Sequence, residues 1–483
     1  MTIGFVYTLV LIIAIIVVAR NTERMFFGLF ALLAAFEINM ITASALMLGS
    51  QEINCTDIVL AALFFCSIAL LLKARKVNKR LMACGIVLFC LAFLSLSFNL
   101  FFPYEGTIIP SNGSWDGLVY GTDHFRTVSV DIRSYLVLFR LFVFIVVAWC
   151  ASQVLSKKEF LDVGAIAVAV GKIQIAFGLF EFLTKTFAGS DIAIRISSTV
   201  FPSFSSAVTS ILVRGDITAL QGFCREPSHF AFALTFILLV LIVLKANGRR
   251  GKFDFAFSLV GLFLLVMSGA FTAMIGLVLI AVVAVYFVRK GSLLKNGQNR
   301  TLIYCAASFF IFLGAVFFFN SQAASGNYYF EKLFGVFENL DSIVNRQYGA
   351  SLSTYDAMPR IVSIYECIRV FCENPLFGIG PGVVNPYSGI SAILSQYGLL
   401  FTLVWFLFLV EYSRAIHKEA SMRLFLGIAI LSGLLLFGGG YEYSFLWLLL
   451  GGLFQDGSSS GISLDDVKLS SHCEICADGY DWR

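Results

Sequence analysis

About thirteen apolar runs of membrane-spanning length divide this chain, and no other feature restricts the possible folds as strongly. They fall near residues 3–19, 26–48, 57–72, 81–102, 134–155, 162–184, 228–244, 253–268, 271–288, 302–319, 391–412, 424–438 and 443–454. A helix rises 1.5 Å per residue and the hydrocarbon core is about 30 Å thick, so such runs read as membrane-crossing helices. Ser268, Gly269 and Ala270 separate two of them by one tight turn. With 59% of residues hydrophobic and 13% charged, the composition excludes a soluble domain. The expected fold is an all-α polytopic integral membrane protein with about 12–14 transmembrane helices and large extracytoplasmic loops. Residues 1–456 form the membrane domain, and 457–483, after a Gly/Ser stretch, read as a disordered cytoplasmic tail. The first run has no basic segment before it and no small-residue cleavage site, so it reads as a permanent span.

Lysine and arginine set the expected orientation. Connectors at 20–24, 73–80, 156–159, 245–252, 289–300 and 414–423 total 47 residues and hold 20 of the 34 basic residues. Three longer connectors, 103–133, 186–227 and 320–390, total 144 residues and hold nine. The short basic loops are therefore placed in the cytoplasm and the long ones outside, with the N-terminus outside and the tail inside. All eight prolines lie in or at the edge of the three long segments. Proline punctuates irregular backbone, so recognition or chemistry is expected on that outer face.

The strongest local signal is QGFCREPSHFAFALTFILLVL, residues 221–241, where Arg225, Glu226 and Pro227 open directly onto an apolar helix. Pro227 suits the first helical turn, where its missing N–H is not needed. The free N–H groups and positive dipole end of that helix would face an anion beside Arg225. Arginine suits phosphate because its planar fork bonds two oxygens and stays charged. Arg214, eleven residues upstream, reaches the same site if the loop returns; contact with lipid headgroups or with Asp216 and Glu226 is the plainer reading. His229 sits four residues after Arg225, on one helical face with it, and reads either as a proton carrier or as a structural residue.

In the third outer segment, PRIVSIYECIRVFCENPLFGIGPG (359–382) has Ile361, Ile364, Tyr365, Ile368 and Phe371 at helical spacing. Glu366, Arg369 and Glu373 take the opposite face, as in a helix lying on a membrane surface. This helix is expected to end at Asn374-Pro375. Gly378, Gly380 and Gly382 then allow tight turns whose free N–H groups would cradle an anion. Arg360 begins the helix, near its positive end. Within the spans lie Glu37, Arg140, Lys172 and Glu181. Intramembrane charges face a bundle interior or cavity; pairing of the cations with Glu37 or Glu181 is the ordinary expectation, and Arg140 is close enough to the outer end to reach a cavity there. Glu442 and Tyr441 read as rim residues. Tyr328, Tyr329, Tyr348, Tyr355 and Tyr387 are candidates for stacking on sugars. His472, Cys473 and Cys476 make a lone CxxC in the tail, a weak zinc signal and more simply a reduced tail.

REPSHFAFAL, the small-residue hairpin at 268–270, R…ENPLFGIGPG and SAILSQYGLLFTLVWFL together resemble the O-antigen polymerase and ligase superfamily over residues 205–450. The Gly398-Leu399 step matches that family's penultimate helix group. The resemblance implies glycan transfer from undecaprenyl diphosphate at the outer face of a bacterial cytoplasmic membrane. Ligases of the family carry a histidine after the glycine-rich element; this chain has VNPYSGISAIL there and no histidine between His229 and His417. The resemblance thus favours a Wzy-type polymerase of O-antigen, capsule or exopolysaccharide repeat units, with ligase-type transfer as the alternative.

On that reading Arg225 and Arg360 hold the diphosphate, with Arg214 in support, and Glu226 or His229 takes the hydroxyl proton. Arg369, Arg140, Tyr365, Asn374, Gly380 and Gly382 are substrate-binding candidates. No cofactor or metal is expected, since no DxD-like motif stands in the outer segments. The implied partners are lipid-linked oligosaccharide donor and acceptor, membrane lipids, a chain-length regulator and a flippase, and no nucleic acid. A lipid-linked sugar flippase or other transporter is the rival class. Its internal symmetry is not found, the outer segments being unequal at 31, 42 and 71 residues.

Overall fold

The computed structural model describes residues 3–40, 44–48, 51–73, 78–108, 126–127, 129–200, 213–214, 217–218, 220–224, 226–249, 251–268, 270–289, 339–347, 358–384, 386 and 388–416. The runs expected at 302–319, 424–438 and 443–454 lie outside the described residues, as do Tyr441, Glu442, the five outer tyrosines and the tail with its CxxC.

The fold is all-α. In chain order the helices are α1 (Ile3–Val18), α2 (Thr22–Ile38), α3 (Cys55–Leu71), α4 (Lys79–Phe101), α5 (Ile132–Val154), α6 (Lys157–Ala188), α7 (Ile192–Val200), α8 (Pro227–Ala246), α9 (Asp254–Met267), α10 (Phe271–Arg289), α11 (Leu340–Val344), α12 (Met358–Glu373) and α13 (Gly389–Ile416). Five of them, α4, α5, α6, α8 and α13, are long and apolar enough to cross a membrane, and α1, α3 and α9 contain shorter apolar stretches. The chain is thus a polytopic membrane protein.

The helix starts carry local signals. Asn21, Asn78 and Asp131 accept hydrogen bonds from first-turn N–H groups of α2, α4 and α5, and Ser156 with Glu159 forms a capping box on α6. Each cap satisfies donors that the helix cannot, typically stabilising by about 1 kcal/mol. Pro227 occupies the first turn of α8, as its sequence position implies. Gly189, at φ +56°, ends α6 in the left-handed conformation.

The core forms around α8, which is buried along nearly its whole length. It packs against α6, α9 and α10. Glycines permit the close approach: Gly171 of α6 receives Ile237 of α8, Gly178 receives Phe230, and Gly276 of α10 receives Thr235. A second group joins α3, α4, α5, α12 and α13, and α2 bridges the two by packing on both α3 and α6.

The apolar run at 26–48 does not form one helix. α2 stops at Ile38, and β1 (Ser44–Leu48) pairs with β2 (Gln51–Asn54) as an antiparallel ribbon. Asn39 produces the stop: its Nδ2 donates to Ala35 O at 2.7 Å and to Ala167 O of α6 at 3.1 Å. Met40 then turns the chain with φ +50°. Hydropathy registers apolar content, which helix and ribbon share, and cannot place that turn. Two-residue pairings β3 (Thr107–Ile108) with β4 (Arg126–Thr127) and β5 (Val213–Arg214) with β6 (Ile217–Thr218) complete the extended structure among the described residues.

Candidate functional site

The turn that leads into α8 is held by buried polar groups. Glu181 of α6 has its side chain only 1% exposed, as has Lys185 one helical turn on. Lys185 Nζ donates to Glu181 Oε1 at 2.6 Å. The backbone N–H of Gln221 donates to both carboxylate oxygens, at 3.1 and 3.2 Å, and that of Gly222 to Oε2 at 2.6 Å. One carboxylate therefore satisfies an ammonium and two backbone donors, the condition under which a buried charge is tolerated. Gly222 is at φ +55° with Phe230 and Gln174 against it, so no side chain fits there.

The following residues are held as firmly. Phe223 stacks on Phe177 with ring centres 4.0 Å apart, and its N–H donates to Gln174 Oε1 at 3.4 Å. Gln174 Nε2 donates to the Cys224 sulfur at 3.2 Å, and Cys224 Sγ donates to Asn39 O at 3.6 Å. Glu181 and Gln174 lie seven and fourteen residues before the end of α6 at Ala188. The turn thus sits about 10–21 Å below that end, recessed beside α6.

Arg225, next in the chain, lies outside the described residues. Glu226 is the N-cap residue of α8 in extended conformation, and its carboxylate makes no capping bond. The carboxylate is exposed at the mouth, where Ser228 Oγ donates to Oε2 at 3.1 Å. His229 is partly buried in the first turn of α8. Arg214 has its backbone in β5, paired with Ile217, and its side chain lies outside the described residues, as does that of Arg360 in the first turn of α12.

A second network surrounds α12. Glu366 is buried, and both its oxygens hold guanidinium groups: Oε1 accepts from Arg346 Nε at 2.9 Å, Oε2 from Arg369 Nη2 at 3.0 Å. Arg369 Nη1 also donates to Glu373 Oε1 at 2.6 Å and to the Tyr104 hydroxyl at 3.2 Å, and both arginines donate to Thr107 O. The Tyr104 hydroxyl donates to Glu373 Oε2. Burial opposes the charge on Arg369, but Glu366 and Tyr104 together outweigh it and raise the guanidinium pKa. Burial also raises the Tyr104 phenol, as does its bond to Glu373. Cys367 beside them is fully enclosed, and burial pushes its thiol up to about 12.

Three sequence expectations change here. Arg369 is held by Glu366, Glu373, Thr107 and Tyr104, so it ties α12 to the segment after α4. The charged face of α12 does not simply face water: Glu366 packs inward with Val362, Ser363, Cys367 and Val370, whereas Ile368 is exposed. The buried ion pairs determine which side turns in. Tyr365 faces the same network, its hydroxyl donating to Val344 O at 3.1 Å.

The third change concerns the glycines after Asn374, where α12 ends as expected. Their N–H groups already have acceptors: Gly378 N–H donates to Asn374 O, Ile379 N–H to Ser395 O, Gly380 N–H to Gln396 O, and Gly382 N–H to Gln396 Oε1. An anion cradle made of these donors is excluded by their bonds. The acceptors are free because α13 breaks at Gly398, where φ is +77° and ψ −175°. Leu399 N–H, beyond the break, donates back to Pro375 O at 2.8 Å. Loop 375–384 thereby replaces the missing helical partners of α13, and its glycines press on Asn99 and on the Arg133 and Ser134 backbone.

The intramembrane cations pair with residues other than those expected. Arg140 Nη2 meets Asp57 Oδ2 of α3 at 2.9 Å, and Lys172 Nζ meets Asp254 Oδ1 of α9 at 2.6 Å. Lys172 also lies over the Phe257 ring, 5.7 Å from its centre. Glu181 serves Lys185. Sequence reasoning had no role for Gln174, Arg346 or Tyr104; the Glu181–Lys185 spacing of four was the one readable signal.

The α12 network yields a pH prediction. Burial raises the Glu373 carboxyl, but hydrogen bonds from Tyr104 and Arg369 outweigh it and hold it below its ordinary 4.5. A depressed folded pKa gives stability that is complete above the unfolded value and lost as pH falls through the folded one. Hydrogen-exchange protection at residues 104–108, corrected for intrinsic rates, is therefore expected to be constant down to 4.5 and to fall below it. In Glu373→Gln that step should vanish. Wild-type protection that stays flat down to about pH 3 would contradict the assignment.

No family model, no curated protein and no solved structure matches this chain.

Proposed function

We propose that this chain is a membrane glycosyltransferase of the Wzy type. It polymerises oligosaccharide repeat units carried on undecaprenyl diphosphate, at the outer face of a bacterial cytoplasmic membrane. The observation that carries the reading is the recessed turn at 220–224. Its backbone is held by Glu181 and Gln174, and two residues on, Glu226 stands at the start of α8 with its carboxylate exposed. Rigid presentation of charged groups at a helix start is what electrostatic stabilisation of a diphosphate leaving group requires.

In the proposed reaction an acceptor hydroxyl oxygen attacks the anomeric carbon of the donor glycan. The carbon–oxygen bond to the diphosphate breaks, and undecaprenyl diphosphate leaves as the anion. Glu226 takes the hydroxyl proton, with His229 one turn inside the helix as the alternative base. Arg225 and Arg360 neutralise the departing diphosphate and Arg214 supports them. Arg369, Arg140, Gly380 and Gly382 have no part in it; they hold the scaffold, as does Asn374, whose carbonyl closes the turn onto Gly378.

The test is glycan profiling of a strain lacking the gene, complemented with wild type, Arg225→Ala or Arg360→Ala. The expected result is a ladder with wild type and single repeat units with either variant, a loss of roughly a hundredfold or more in polymer for one removed charge contact. If the deletion strain delivers no repeat units to the final acceptor, the protein is a ligase or a flippase. If both variants restore the ladder, the arginine assignment is wrong.

A further inference from the structure

α7 is a nine-residue helix that follows α6 after the Gly189 turn and packs back against it. At about 100° per residue its side chains divide into three adjacent sectors. Ala193, Ile194 and Ser197 are buried. Ile192, Ile196 and Val200 form an apolar stripe that is 46, 39 and 42% exposed. Arg195, Ser198 and Thr199 fill the third sector, with the Arg195 side chain 77% exposed beside Asp191. A helix on a water-covered surface needs only a buried and a polar sector. An exposed apolar sector alongside an exposed polar one matches a boundary between two solvents.

The position of α7 identifies that boundary. Along α6, Ile166, Ile173, Phe180, Leu183 and Phe187 are exposed large apolar side chains. From Ile166 to Phe187 they cover about 31 Å of helix, the thickness of a hydrocarbon core of about 30 Å. Phe187 is thus where this lipid-facing stripe reaches the membrane surface. The apolar sector of α7 begins five residues later and continues it around the corner.

From this geometry we infer that α7 lies in the headgroup–acyl boundary of the leaflet at that end of α6. Ile192, Ile196 and Val200 contact phospholipid tails, and Arg195 stands at the level of the phosphates. The helix fixes how deep the recessed turn at 220–224 sits below the headgroups. The inference does not depend on the proposed reaction.

The experiment uses the full chain in phosphatidylcholine–phosphatidylglycerol vesicles, with single tryptophans added by Ile196→Trp, Val200→Trp or Ser198→Trp. Quenching of the five native tryptophans is subtracted using wild type. Lipids brominated near the headgroup, lipids brominated near the chain end, and aqueous acrylamide serve as quenchers. The Ile196→Trp and Val200→Trp signals are expected to be quenched at least about twofold more by shallow than by deep bromine and little by acrylamide, placing them about 5–10 Å into the boundary. The Ser198→Trp signal should follow acrylamide. Acrylamide quenching of Ile196→Trp equal to that of Ser198→Trp would put α7 in water. Stronger quenching by deep bromine would put it in the hydrocarbon, and insensitivity to every quencher would put protein over the stripe. Each of these three results overturns the inference. Val200→Trp repeats the measurement should Ile196→Trp fail to fold.

Discussion

Glu181→Leu is expected to lower stability by about 3–5 kcal/mol, the typical cost of breaking a buried ion pair by removing one partner. Lys185 would keep a charge in an enclosed site, and the N–H groups of Gln221 and Gly222 would lose their acceptor. Each such donor costs about 1–3 kcal/mol when left unsatisfied. Lys185→Leu should do less damage, because the carboxylate retains both backbone donors. The double variant should fall between the two, since it removes the stranded ammonium but not the stranded N–H groups. Thermal transitions in vesicles would give this order. A Glu181→Leu transition indistinguishable from wild type would show that the carboxylate does not hold the turn. If the turn presents Arg225 and Glu226 as proposed, partial rescue of stability in the double variant will not bring back polymer.

The second large effect is expected at Gly398. A Cβ there would stand 2.3 Å from Leu376 O and 2.4 Å from Leu376 C, both backbone atoms that no rotamer change can move. Its φ of +77° with ψ of −175° is a region open essentially to glycine, costing about 1–3 kcal/mol for other residues. Gly398→Ala should therefore exceed about 3 kcal/mol, since the strain and the overlap act together. Gly378→Ala should be similar, with Gln396 C at 2.4 Å. Gly189→Ala is the control: its φ is +56° but nothing lies within 4 Å, so only the left-handed backbone cost of about 1 kcal/mol remains. If Gly398→Ala and Gly189→Ala lower the transition equally, loop 375–384 does not pack into the helix break as described.

Much of this architecture is legible in the chain because lipid imposes a length rule on apolar runs. α4, α5, α6, α8 and α13 fall within a few residues of their expected runs, apart from the extra turn at the start of α6 and at the end of α13. The rule fails at α2, where Asn39 ends the helix through a bond to α6 that no local pattern contains. α12 begins and ends where its sequence indicates, at Pro359 and before Pro375. The inward turn of Glu366 goes with its ion pair to Arg346, twenty residues upstream, which helical spacing does not contain. The glycines of 378–382 read correctly as turns and incorrectly as free donors, because their acceptors belong to a helix break fifteen or so residues later. Arg140 and Lys172 are recognisable as charges needing partners; that Asp57 and Asp254 supply them depends on packing between helices distant in sequence. At the site, Pro227 and Glu226 stand where the sequence puts them. The clamp beneath them is not legible there, since a carboxylate serving two backbone N–H groups leaves no motif.

The pairing of loop 375–384 with the broken α13 sets a rule of spacing. Leu399 N–H is matched to Pro375 O, Ile379 N–H to Ser395 O and Gly380 N–H to Gln396 O. One residue inserted or deleted within 375–380 or 395–399 would shift these bonds against each other and set side chains where Gly378 and Gly398 now meet backbone. A set of natural variants of this chain should accordingly keep Gly378 and Gly398 and show length changes outside 375–380 and 395–399.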